Sequence, residues 1–167
     1  MPITVRPALL DDVPGLARVH VESWRETYRG LVPDDMLDDP GFIERRERFW
    51  TKALTSEQNR PAARIAAAIS DGRVVGVAMA SSPQDEDATW TQQLYILYTY
   101  AAVYGRGGGS ALLDAVLDPD QSAALWVADP NPRAQAFYRK HGFTPDGRTK
   151  TEDGIQEIRM TRPGRNE

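Results

Sequence analysis

Apolar positions along the chain switch between a spacing of two and a spacing of three to four, and the switches mark its elements. Ile3-Thr4-Val5-Arg6 reads as a first strand. Asp11-Asp12 then caps a helix on which Val13, Leu16, Ala17, His20 and Trp24 share one face. That helix runs into an aromatic, basic bend, Glu22 to Pro33, which closes on Gly30 and Pro33. A second helix spans Gly41 to Leu54, with Phe42, Ile43, Phe49, Trp50 and Ala53 on its apolar side, and Thr55 to Pro61 is a loop.

Arg64 to Ser70 and Arg73 to Ala80 are strands around Asp71-Gly72, a two-residue hairpin signal. Ser81 to Asp87 is polar and acidic and reads as a solvated turn. A strand over Thr91 to Thr99, a glycine-rich turn, a helix over Gly107 to Leu117 and a buried strand over Ala123 to Val127 follow. A helix with Asn131 as N-cap, Pro132 at its first position and Gly142 past its end comes next. The last strands cover Thr144 to Arg148 and Ile155 to Thr161, joined through an exposed turn at Glu152-Asp153-Gly154. No repeat, low-complexity tract or linker interrupts this order, so residues 1–167 are expected to form one mixed α/β domain with its core over about 3–160.

Composition narrows the partners. A chain of 167 residues can bury a proper core, and its 41% hydrophobic and 26% charged content is that of a soluble globular protein. A net charge of −4 argues against nucleic-acid binding. There are no cysteines, so disulfides, cysteine metal sites and acyl-cysteine intermediates are all excluded. The N-terminus has no apolar leader segment and no run reaches membrane-spanning length, so a cytoplasmic protein without membrane contact is expected. His20 lies on an apolar helix stripe as a packed side chain, and His141 in a last helical turn suits the helix dipole; neither implies a metal.

The chemistry concentrates in Tyr104-Gly105-Arg106-Gly107-Gly108-Gly109-Ser110, set between the strand Leu94 to Thr99 and a helix. Glycines there let backbone N–H groups approach an anion, and the helix start adds unpaired donors and its positive dipole end. A phosphate cradle is implied. A nucleotide-triphosphate loop fails, because no lysine lies between Lys52 and Lys140. A dinucleotide fingerprint fits poorly, since its third glycine place falls on Ser110 or Leu112.

A second constellation stands downstream: Asn131-Pro132-Arg133-Ala134-Gln135-Ala136-Phe137-Tyr138, continuing to His141-Gly142-Phe143. This pair of strand–turn–helix units resembles the GNAT superfamily of acyl-CoA-dependent N-acyltransferases, in element order from about Ile3 to Met160. The resemblance implies an α/β (α+β) fold: a mixed, mostly antiparallel sheet of about six to seven strands with about four helices, splayed between the fourth and fifth strands. It implies acetyl-CoA as cosubstrate, with no metal. Three positions depart from the family pattern. Tyr104 stands where an Arg or Gln is usual, with Arg106 nearby to replace the charge; Ala101 stands where many relatives carry Pro, and Gln93 where many carry Glu.

By the same resemblance, Leu97, Tyr98 and Thr99 line the pantetheine and help polarise the thioester carbonyl, and the N–H groups from Tyr104 to Ser110 hold the pyrophosphate. Tyr138 matches the tyrosine that protonates the leaving thiolate, while Asn131 either binds pantetheine or caps its helix. Trp24 and Tyr28 fall where relatives wall the acceptor pocket, although Trp24 also fits a core position. The base stays open among Glu22, Glu26 and a water chain. The expected reaction is direct acetyl transfer to a primary amine of a small molecule, with a homodimer as the expected candidate assembly. A protein or peptide acceptor, and a non-catalytic acyl-CoA sensor, remain alternatives.

Overall fold

A computed structural model describes residues 2–56 and 63–166. Seven strands form one sheet in the order β1-β2-β3-β4-β5-β7-β6. They are β1 (Thr4–Pro7), β2 (Arg64–Ser70), β3 (Arg73–Ser81), β4 (Gln92–Thr99), β5 (Ala123–Ala128), β6 (Thr144–Glu152) and β7 (Ile155–Arg162). Every neighbouring pair is antiparallel except β4 and β5. That parallel pair holds at three positions, Gln92 with Ala123, Gln93 with Ala124 and Leu94 with Leu125, and then the strands part.

The helices are α1 (Val13–Tyr28), α2 (Asp34–Leu37), α3 (Phe42–Thr55), α4 (Gly108–Val116) and α5 (Pro132–Lys140). On one face of the sheet Leu112, Leu113 and Val116 of α4, Tyr138 of α5 and Phe143 pack against Ala66, Ala78, Leu125 and Met160. On the other, Leu16, Ala17 and Val19 of α1 and Trp50 of α3 pack against Ala67, Val77 and Ile96. Small alanines on β2 and β3 let helices approach both faces closely.

Several local expectations change. Asp12 is the N-cap residue of α1, but its side chain makes no capping bond there; its carboxylate accepts from the Leu9 N–H (2.7 Å) and pairs with Arg6 of β1 (2.7 Å), pinning the helix start to the sheet edge. The bend expected from Glu22 is helix as far as Tyr28, because Ser23, Trp24, Thr27 and Tyr28 continue a face turned to β4 and the cavity described below. The chain turns only at Arg29 and Gly30, whose φ is 90°, and then forms the one-turn α2. The Ser81–Asp87 loop is more than a solvated turn. Its Asp85 and Asp87 accept from Arg159 at 3.1 and 2.8 Å, and that guanidinium is 5% exposed and also bonded to Asp146 (2.7 Å). β6 runs four residues beyond its expected end at Arg148. The loop expected over Thr55–Pro61 lies largely outside the described residues. The Asp71-Gly72 turn forms as read, at φ 53° and 71°, and the turn expected over Glu152-Asp153-Gly154 narrows to Asp153 and Gly154 at 53° and 78°, because Glu152 pairs with Ile155 as the end of β6.

Candidate active site

The parting of β4 from β5 opens a cavity of about 760 Å³. A bulge sets what β4 shows to it. Ala80 pairs with Leu94 and Met79 with Ile96, which leaves Tyr95 as an extra residue. Leu94 and Leu97 therefore face the α4 side, while Tyr95, Ile96 and Tyr98 all pack on the α1 side. Thr99 and Leu112 both lie beside Gly76 on the α4 side, and Tyr100 packs on the α1 side. Leu97, Tyr98 and Thr99 line the cavity.

One end of the cavity is the glycine turn. Gly107, with φ 85°, precedes the first turn of α4, and Tyr104, Gly105, Gly107, Gly108, Gly109 and Ser110 all line the space. A Cβ on Gly105 or Gly107 would meet nothing within 4 Å, so these glycines serve a left-handed backbone and an open approach. Arg106 is outside the lining, and the positive charge comes from α5 instead. The Arg133 guanidinium lies 3.6 Å over the Tyr104 ring, and Arg133 and Lys140 both line this end. Ser110 and His141 are 3.0 Å apart, Oγ to Nε2, tying α4 to the end of α5. His141 stands at the C-terminal end of α5, as expected, and burial lowers its proton affinity. Asn131 accepts from the Ala134 N–H (3.3 Å) as helix cap and lines the cavity as well.

The other end is aromatic and acidic. Trp24 and Tyr28 stand edge to face at 4.7 Å, and the Trp24 indole N–H donates to the Tyr98 hydroxyl (2.9 Å). Trp126, Ile155, Glu152, Asp153 and Glu157 complete this wall. The Trp126 indole donates to Asp85 (3.1 Å), so the Arg159 cluster also fixes this ring. Tyr138 reaches the cavity from α5, its ring 5.4 Å from Phe137 and 5.9 Å from Phe143. Burial pushes the phenols of Tyr138, Tyr28 and Tyr98 up from the ordinary value, and neighbouring phenols add to the rise at Tyr138. Burial also raises the Glu157 carboxyl, and nearby Glu152 and Asp153 add to the rise.

The sequence's candidate bases do not line this space. The Glu26 carboxylate accepts from the Ala101 N–H (2.9 Å), holding the start of the glycine turn against α1, and Glu22 bonds Arg25 (3.1 Å). Gln93 is buried and accepts from the Trp90 indole (2.8 Å). Among the described residues, no group of three or more His, Cys, Asp or Glu side chains could hold a metal ion, and no helix is long and apolar enough to cross a membrane.

The model of the acetyltransferase (GNAT) family matches residues 20–143, which contain both helix-opening motifs and the splayed strands. The chain belongs to the GNAT family. An uncharacterized N-acetyltransferase of Bacillus subtilis, YuaI, is 28% identical over 97% of this chain and 91% of its own. Among solved structures, a histone acetyltransferase HPA2 and related acetyltransferase from Corynebacterium glutamicum is 28% identical at a TM-score of 0.71, covering 98% of this chain and 97% of its own. The PaiA N-acetyltransferase of Thermoplasma acidophilum, solved with coenzyme A, shares the fold at a TM-score of 0.75 and 20% identity, over 98% and 99% of the two chains. This GNAT protein is thus an acetyltransferase that uses acetyl-CoA as cosubstrate. Among the cavity residues, Arg133, Lys140, Trp126 and Glu157 were not singled out from sequence. The aromatic residue preceding the β5–α5 turn was the one local signal available for Trp126.

Proposed function

We propose that this protein moves the acetyl group of acetyl-CoA directly to a primary amine of a small cationic molecule, as one domain over residues 1–167. The observation that carries the reading is the charge polarity of the cavity. Arg133, Lys140 and a helix N-terminus stand at one end, and Glu152, Asp153 and Glu157 at the other. The first suits a pyrophosphate and the second an ammonium group.

In this reading the N–H groups of the segment Tyr104 to Ser110 hold the pyrophosphate, with Asn131 beside the pantetheine. The backbone of Leu97, Tyr98 and Thr99 flanks the thioester; a preorganised donor on such a carbonyl is worth about 3 kcal/mol in the transition state. Trp24 and Tyr28 wall the acceptor, and Tyr138 gives its phenolic proton to the departing thiolate.

Lysine and 1,5-diaminopentane differ by one carboxylate and make a matched test. With acetyl-CoA and thiol release as readout, the diamine is expected to exceed lysine by about tenfold in kcat/KM. That is the effect of a like charge about 12 Å away at an effective dielectric constant of about 20. Acetylation of lysine-containing peptides without turnover of either small amine would overturn the small-molecule reading. Acetyl-CoA binding without any acceptor-dependent thiol release would indicate a sensor.

A further inference from the structure

We propose that the Glu157 carboxylate receives the acceptor's ammonium group and takes the proton its nitrogen must lose before attack. This rests on the acetyltransferase reading of the cavity and supplies the base that reading lacks.

Glu157 sits on β7 opposite Ala128 of β5, at the end where β5 has already left β4. Its neighbours Ile158 and Met160 show which way it faces. Ile158 packs with the α4 side of the core and Met160 is buried there, so alternation turns Glu157 to the α1 side, toward Tyr98 and Tyr28. Its charge raises the titration of both phenols, which places all three groups around one space. No cation is within salt-bridge distance of it among the described residues. Lys150, its register partner on β6, is 3.2 Å from Glu152 and lies over the Trp126 ring at 4.5 Å. The Lys150 charge favours its ionised form from a distance, but no cation pairs with it directly, and a half-buried carboxylate in an aromatic-walled cavity gains from a ligand cation that does.

The groups facing it are Tyr28 from α1, Tyr98 from β4, Lys150 and Glu152 from β6, and Asp153 from the turn. Burial raises its proton affinity, which narrows the gap to an alkylammonium near pKa 10.4. The step balances. One N–H bond of the ammonium breaks and its proton moves to the carboxylate, which passes it to solvent. The freed lone pair forms the C–N bond. The C–S bond then breaks as the thiolate takes the Tyr138 proton, and the second nitrogen proton restores the phenol.

The test compares wild type with Glu157→Gln and Glu157→Asp on 1,5-diaminopentane from pH 6.5 to pH 10. For Glu157→Gln, kcat/KM is expected to fall about 10²-fold near pH 7.5, with the deficit shrinking toward pH 10 as the free amine loses its own proton. Glu157→Asp is expected to keep part of the activity, and acetyl-CoA affinity by calorimetry to stay the same. Independently of turnover, n-butylammonium chloride alone should quench or shift tryptophan fluorescence in wild type, with at least about tenfold weaker binding in Glu157→Gln. An unchanged pH profile overturns the proposal, and so does equal or undetectable butylammonium binding in both proteins. If only a lysine-containing peptide is acetylated, the small-amine reading fails by itself. The same pH-dependent deficit, measured on that peptide, then decides for or against Glu157.

Discussion

Tyr138 is 8% exposed, yet it borders the cavity, and its phenol is raised by burial first and by Tyr98 and Tyr28 next. It therefore stays protonated well above neutral pH, which a proton donor needs. Tyr138→Phe removes one oxygen and leaves the contacts with Phe137 and Phe143. Turnover is expected to fall about 10²-fold while the melting temperature and acetyl-CoA affinity stay near wild type. A matching loss of cofactor affinity would make this residue a cofactor contact. His20 is the opposite kind of group: 3% exposed, with Tyr98, Trp50, Phe49 and Trp24 rings around it and its pKa driven down to about 3 by burial. Between about pH 3 and pH 6.5 the unfolded chain takes up a proton at this site that the folded protein refuses. Stability thus falls as pH drops through that window, and His20→Phe is expected to flatten part of the slope. Urea titrations at pH 7.5 and pH 5 measure it; an equal pH 7.5 to pH 5 difference in both proteins would leave the slope to other groups.

Each element was legible where its cause was local. Glycine after aspartate made the β2–β3 hairpin, and Asn131-Pro132 opened α5 with the cap already implied by its side chain. α1 outran its expected end because its last turn is held from outside, through Arg25 to the Leu37 carbonyl (2.8 Å) and the Ala101 N–H to Glu26 (2.9 Å). The acidic wall was hidden for a similar reason. Glu157 reaches the cavity because β7 inserts between β5 and β6, a pairing no local pattern reveals. Arg133 could compensate for Tyr104 only once α5 was laid beside the glycine turn. That turn carries its own test. Gly107→Ala and Gly107→Asp both impose positive-φ strain, about 1–2 kcal/mol for alanine and no more for aspartate, with open space around the new Cβ. The aspartate variant alone adds a negative charge, so it is expected to weaken acetyl-CoA binding at least about tenfold beyond the alanine variant. Equal affinities in the two folded variants would remove the pyrophosphate from this turn.

At the scale of the molecule, the cavity is a dipole built across the sheet. The positive side comes from α4 and α5, which follow β4 and β5; the negative side comes from the β6–β7 hairpin. Arg159 holds the negative side in place, its guanidinium 4.7 and 5.6 Å from the Trp90 and Trp126 rings while it grips Asp85, Asp87 and Asp146. A cluster of that kind ties a surface loop, the Trp126 ring and the hairpin into one rigid wall. Ligands with opposite charges at their two reacting partners would meet it in one orientation.

The three-pair contact between β4 and β5 also makes the sheet a zipper closed at one end only. Beyond Leu94 and Leu125 the facing edges of Tyr95 to Tyr98 and Trp126 to Ala128 have no sheet partner in each other. A pantetheine arm carries amides of its own, so acetyl-CoA would act as a missing length of strand, stitching the halves of the sheet across their open teeth. Amide hydrogens on those edges are then expected to exchange readily in the free protein. At coenzyme concentrations about a hundred times the dissociation constant, they should slow about 100-fold. Hydrogen exchange resolved to the β4 and β5 peptides reads this directly. Slowing confined to the glycine turn would mean that the coenzyme is held by its phosphates alone.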